Sequence, residues 1–224
     1  MDLVKLPVII TNFKTYESAT GPKAVELALI HEKVAKETGV SIAVAVQPTD
    51  LFAVVSAVSI PVFAQHVDPV EYGSNTGYIL PQAVKACGAF GTLLNHSERQ
   101  IPMELLRLSI QRAQAEGLFV IACAQNHEEA EEVMWMKPDL VAVEPPELIG
   151  GDISVATAKP ELIKAAVDLH GGNSTTLVGA GVKNAEDVRI AIQLGAQGVL
   201  LASGVIKAED PEAVLRDLAS GISS

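Results

Sequence analysis

Sulfur chemistry is almost missing from this chain, whose 224 residues include two cysteines, Cys87 and Cys123. Two thiols cannot make a disulfide framework, so a reducing, cytoplasmic setting is expected. Positive charge is also short: 16 Lys and Arg stand against 27 Asp and Glu, a formal net charge of −11. A polyanion such as nucleic acid is therefore not an expected partner, since its binding depends on basic clusters. A small anion remains admissible where the positive potential is local. No apolar run reaches the roughly 18 residues needed to cross a bilayer, so no membrane partner is expected. The stretch Met1–Leu6 carries an acid and a base and leads into a strand-like run, unlike a signal peptide. The five histidines have no zinc-like spacing and the cysteines form no ligand pair, so no metal is expected.

What the chain does have is aliphatic residues and glycine. Hydrophobic residues make up 49% of it and aromatic ones 4%, a composition suited to short parallel strands buried on both faces. Eight such runs recur: Pro7–Asn12, Ser41–Val46, Pro61–Gln65, Phe90–Asn95, Leu118–Ala122, Asp139–Glu144, Thr175–Gly179 and Gly198–Ala202. A helix-like segment follows each. Pro102 stands at a first helical position before Leu106, Ile110 and Ala113, and Asp210-Pro211 reads as a cap with an N1 proline. Gly39, Gly117 and Gly171-Gly172 mark helix ends. Regular alternation implies parallel strands with right-handed crossovers. The count of eight, with no Gly-x-Gly-x-x-Gly turn after the first strand, favours a closed α/β structure over an open sheet. The expectation is a single (β/α)8 barrel spanning residues 1–224, eight parallel strands surrounded by helices, with no linker dividing it.

The last two units resemble each other. Gly179-Ala-Gly-Val182 and Ala202-Ser-Gly-Val205 share a pattern, as do Ala185-Glu-Asp187 and Ala208-Glu-Asp210 at the same offset. Small residues after strands seven and eight suit a backbone phosphate site, or simply tight turns.

In such a barrel the chemistry sits where strands end. Asn12-Phe13-Lys14 ends strand one, and Lys14 is either a surface lysine or a fixed cation over the barrel mouth for a phosphate and a developing enolate. Asn95-His96-Ser97-Glu98-Arg99 follows strand four, and a helix beginning at Ser97-Glu98 would disfavour a charged imidazolium at His96. Glu144 closes strand six, and Pro145 keeps it extended. Apolar neighbours there would raise its pKa and strengthen it as a base. Pro145–Gly151 then reads as a closing lid or an ordinary loop.

Taken together, Asn12-Phe-Lys14, Asn95-His-Ser-Glu98, Ala142–Gly150, Gly179-Ala-Gly181 and Leu201-Ala-Ser203 resemble the triosephosphate isomerase family, particularly its short archaeal branch. The likeness runs in order along essentially the whole chain and implies a TIM barrel. It also implies catalytic roles for Lys14 (with Asn12, charge stabilisation), His96 (electrophile) and Glu144 (base), with Glu98 nearby. Ile149 or Gly150, Gly181, Ala202 and Ser203 would hold the phosphate, and Cys123 would be a packed neighbour. The implied reaction interconverts dihydroxyacetone phosphate and D-glyceraldehyde 3-phosphate through an enediolate, as in glycolysis and gluconeogenesis, without a cofactor. The loop Asp68–Pro81 resembles one that inserts into a partner subunit, implying a homodimer or homotetramer. The family usually continues Thr-Gly after the lid glycine, where this chain has Gly151-Asp152. The alternatives are another phosphate-binding barrel, an aldolase or an epimerase, and a non-catalytic sugar-phosphate-binding barrel.

Overall fold

A computed structural model describes residues 4–145, 158–168 and 176–222 of the chain. Eight parallel strands close into a barrel in sequence order. They are β1 (Val8–Asn12), β2 (Ser41–Val46), β3 (Val62–Ala64), β4 (Gly91–Leu94), β5 (Phe119–Ala124), β6 (Leu140–Val143), β7 (Thr176–Val178) and β8 (Gly198–Leu201). Closure is made by β1 against β8, with Val8 opposite Gly198 and Thr11 opposite Leu201. A side chain at Gly198 would have its Cβ 2.0 Å from the Val8 carbonyl oxygen, so the seam requires glycine there.

The strands are buried along nearly their whole length and mostly apolar because they are covered on both faces. The two-residue pleat divides β1: Val8 and Ile10 point into the barrel, and Ile9 points out to the helices. Phe63, Leu93, Ile121, Leu140, Leu177 and Leu200 fill the interior with them. Phe63 meets Phe90 and Phe119 edge to face, with centroids 5.5 Å and 6.1 Å apart, near the starts of β4 and β5. The interior is thus a packed core, not a pore.

The outer helices are α1 (Pro22–Thr38), α2 (Leu51–Ala57), α3 (Pro81–Ala86), α4 (Met103–Ala115), α5 (His127–Trp135), α6 (Pro160–Asp168), α7 (Ala185–Gln193), α8 (Ser203–Ile206) and α9 (Pro211–Ser220). Gly39 ends α1 in the left-handed conformation, φ +73, where any other L-residue would be strained. Asp210 caps α9 by accepting the Ala213 N–H at 3.0 Å. Two expectations shift slightly. Pro102 is the residue before α4 rather than its first, and β5 continues through Cys123 and Ala124, which pair with Ala142 and Val143 of β6. The Gly171-Gly172 stop lies outside the described residues. Among those described, no helix is long and apolar enough to cross a membrane, and no cluster of three or more His, Cys, Asp or Glu side chains is arranged to hold a metal ion.

Candidate active site

Because the strands are parallel, their C-terminal ends share one rim, and a cavity of about 200 Å³ opens there. Asn12, Lys14, His96, Glu98 and Glu144 line one side, and the turns Gly179–Lys183 and Ala202–Gly204 line the other. The polar residues ending β1, β4 and β6 thus meet the small-residue turns after β7 and β8 around one space.

Lys14 sits just past β1 with φ +48, an unusual conformation for a residue bearing a side chain. Its N–H donates to Asn12 Oδ1 at 3.0 Å, and its carbonyl accepts from Gln65 Nε2 at 2.9 Å. Both ends of this residue are therefore held. Its ammonium reaches Glu98 Oε1 at 2.7 Å, with the lysine side chain 13% exposed. A desolvated cation is thereby fixed over the cavity rather than left in solvent.

His96 caps a short 3-10 turn (Ser97–Arg99), its Nδ1 accepting the Glu98 N–H at 3.2 Å. An imidazole that accepts at Nδ1 is neutral and carries its proton on Nε2. Burial draws its pKa down to about 4; the Lys14 ammonium acts the same way, and Glu98 opposes them. The Nε2–H therefore faces the cavity as an uncharged donor across the ordinary pH range.

Glu144 continues the line of β6, its N–H bonded to the Ala124 carbonyl at 2.8 Å. It is 3% exposed, and its Oε2 has no hydrogen-bond partner. Burial pushes its pKa up to about 8, against the Cys123 thiol bond and the Lys14 charge, which favour the carboxylate. His96 Nε2 and Glu144 Oε2 are 3.5 Å apart, close enough to act on adjacent atoms of one small molecule. Gly179 makes room for this carboxyl, since a Cβ there would lie 2.2 Å from Glu144 Cγ.

A sequence model of the triosephosphate isomerase family matches residues 7–219. The chain is 44% identical to the triosephosphate isomerase of Methanobacterium bryantii, over 99% of both chains. It is 44% identical to that of Methanocaldococcus jannaschii, over 94% of this chain and 98% of the relative. Against that of Metallosphaera sedula the identity is 43%, over 97% and 96%. This chain belongs to the triosephosphate isomerase family.

Of the residues singled out from the triosephosphate isomerase pattern, Asn12, Lys14, His96, Glu98, Glu144, Gly181, Ala202 and Ser203 all line the one cavity. Ile149, Gly150 and the Gly151-Asp152 departure lie outside the described residues, as does most of the lid segment. Gln65 was not singled out, although its Nε2 also lies 3.3 Å from Asn12 Oδ1. A polar residue directly after β3 was the available signal, by analogy with Asn12 at the end of β1. Tyr16, also unremarked, lines the cavity and carries the Lys207 ammonium 5.1 Å from its ring centroid. Ser18 bonds the Ile206 carbonyl at 3.0 Å, tying the loop after β1 to α8. The repeated Ala-Glu-Asp segments are not equivalent. Asp187 lies in the first turn of α7, whereas Asp210 caps α9, because the short α8 intervenes in the last unit.

Proposed function

We propose that this barrel, as the one domain of the chain, interconverts dihydroxyacetone phosphate and D-glyceraldehyde 3-phosphate. The observation that carries the reading is a buried carboxyl with a free oxygen, 3.5 Å from a neutral imidazole Nε2 and in a cavity shared with a fixed ammonium. Ionised Glu144 takes a proton from carbon 1 of the ketose phosphate, and the bonding pair becomes the carbon–carbon double bond of an enediolate. His96 Nε2–H and Lys14 face the charge that develops on the substrate oxygens. The proton returns to carbon 2 while the hydroxyl proton passes from the carbon 1 oxygen to the carbon 2 oxygen, within reach of His96 Nε2, and the carbon 1 carbonyl of the aldose phosphate forms. No electron leaves the substrate, so the balance closes without a redox cofactor.

The phosphate lies against the turns after β7 and β8, with backbone groups of Gly181, Ala202 and Ser203 as donors. In this reading Asn12 orders Lys14, and Glu98 balances its charge. Ile149 and Gly150 complete the site from the lid, where exclusion of water protects the enediolate from losing phosphate. The reaction belongs to glycolysis and gluconeogenesis, and the scarcity of cysteine supports a cytoplasmic setting. The loop Asp68–Pro81, with Tyr72 and Tyr78 largely exposed, supports assembly into a homodimer or homotetramer.

An aldolase working through a lysine Schiff base is disfavoured. Lys14, the lysine beside His96 and Glu144, has its nitrogen engaged by Glu98 Oε1 at 2.7 Å, the nitrogen a Schiff base would need. A coupled assay from glyceraldehyde 3-phosphate tests the proposal, with Glu144→Gln expected to lower kcat on the order of a thousandfold. Wild-type inactivity in that assay would refute it and leave a non-catalytic binder standing.

A further inference from the structure

The β4–β5 ladder ends at Leu94 opposite Ala122. At the next residue the chain turns out of the sheet, and Asn95 adopts φ +57, a conformation asparagine tolerates better than most. Its carboxamide takes over where backbone pairing stops. Nδ2 donates to the Cys123 carbonyl at 3.0 Å and to Glu129 Oε1 at 2.8 Å, and Oδ1 accepts the Ile101 N–H at 3.1 Å. Glu129 is itself held, its Oε2 accepting the Gln125 N–H at 2.9 Å and its own N–H bonded to the Asn126 side chain.

Asn95 is 3% exposed and does not line the cavity. Both of its attachments nevertheless lead into the site. The following residue is His96. Across the strand gap, the residue whose carbonyl it holds is Cys123, and the next residue of β5, Ala124, accepts the Glu144 N–H at 2.8 Å. One side chain thus joins the strand end bearing the imidazole to the strand end that supports the base.

We propose that Asn95 is a positioning residue: its carboxamide pins the end of β4 to the end of β5, fixing the separation of His96 from Glu144. The inference rests on the isomerase reading above. Displacing a reacting group by about 1 Å costs up to about a hundredfold in rate. Loss of the pin is therefore expected in kcat rather than in phosphate binding, which lies on the far side of the barrel mouth.

Two sets of variants test this in the coupled assay. Asn95→Gly keeps the left-handed backbone accessible while removing all three side-chain bonds. It should lower kcat roughly 10- to 100-fold with little change in KM, and move the acid limb of the kcat profile as Glu144 changes surroundings. Asn95→Asp sets a carboxylate against Glu129 and the Cys123 carbonyl and should also lower kcat. Adding Glu129→Gln to it restores a donor between the two side chains and should recover much of the loss. Wild-type inactivity would sink the isomerase reading and this inference together. Active wild type with Asn95→Gly inside about twofold of its kcat would overturn the positioning role alone. So would an Asn95→Asp, Glu129→Gln double variant whose kcat is only the product of the single effects. Should Asn95→Gly fail to fold, that cycle decides.

Discussion

A carboxyl group moved from water into an apolar pocket holds its proton to higher pH, and Glu144 does so up to about 8 because it is buried. The same burial has a sign for stability. Below pH 4.5 the group is protonated both folded and unfolded. Between pH 4.5 and about 8 the unfolded chain ionises first, so stability falls as pH rises and stays lower above that window. Glu144→Gln should therefore melt at a higher temperature than wild type at pH 8.5, with the difference shrinking toward pH 4.5. Equal melting temperatures at both pH values would show that the carboxyl is not held neutral by its surroundings. In the free enzyme kcat/KM should rise with pH as Glu144 ionises, with no contribution from His96 above about pH 5, since that ring is already neutral. Gly179 belongs to the same residue-scale argument. Gly179→Ala places a Cβ 2.2 Å from Glu144 Cγ and displaces the carboxyl, so kcat should fall on the order of a hundredfold while the protein stays folded. Circular dichroism beside the coupled assay checks both halves of that statement. Glu144 was legible in the sequence because an acid closing an apolar strand before proline is conspicuous. Gln65 was not, because its partners Asn12, Lys14 and Ala45 are 20 to 53 residues away.

Among elements, the short helices depend on their caps. Asn184 accepts the Asp187 N–H at 3.0 Å, and Asp187 Oδ2 accepts the Lys183 N–H at 3.0 Å, which closes the start of α7 directly after the small-residue turn of β7. Asp210 does the corresponding work for α9, which also holds α1 through Glu212 and Lys33 at 2.9 Å. Asp210→Ala should cost about 1 kcal/mol, seen as a fall of roughly 2–4 °C in Tm. Its kcat should be unchanged, because α9 is remote from the cavity. An unaltered melting curve would mean that another group replaces the cap. The repeat in the last two units shows where local reading stops. The two copies match in sequence, yet α8 displaces the second helix start, and no pairwise likeness announces a four-residue helix.

At the scale of the whole molecule the loop between β3 and α3 stands out. Asp68 and Ile79 close its base by two hydrogen bonds, 2.9 Å and 2.7 Å, and Asp68 also meets His66 at 3.2 Å. Beyond that rigid base Tyr72 is 77% exposed and Tyr78 59%, an apolar investment expected at a contact between subunits. Near the loop base, a second cavity of about 310 Å³ reaches Lys14, Gln65, His66 and Ile79. Under the proposed assembly through this loop, Tyr72→Ser with Tyr78→Ser should lower the mass measured by light scattering toward that of one chain, 23.5 kDa. An unchanged mass would argue against the proposed assembly through this loop.

Periodicity, caps and strand-end polar residues are settled by neighbours in the chain, which is why eight β/α units and a parallel sheet were readable before any coordinate, whereas Lys14, His96 and Glu144 stood out as a set only through the family resemblance. Distances between strand ends are settled by closure. Lys14 and Glu98 stand 84 residues apart in sequence and 2.7 Å apart in space. The carboxamide that joins β4 to β5 also exists only once the barrel fixes their stagger. A linear pattern encodes which face each residue takes, but not the mutual angle of strands that never neighbour one another along the chain. The direction of both shifts follows from neighbours in the chain, but tertiary packing decided the depth of burial that keeps Glu144 protonated to about pH 8 and His96 neutral.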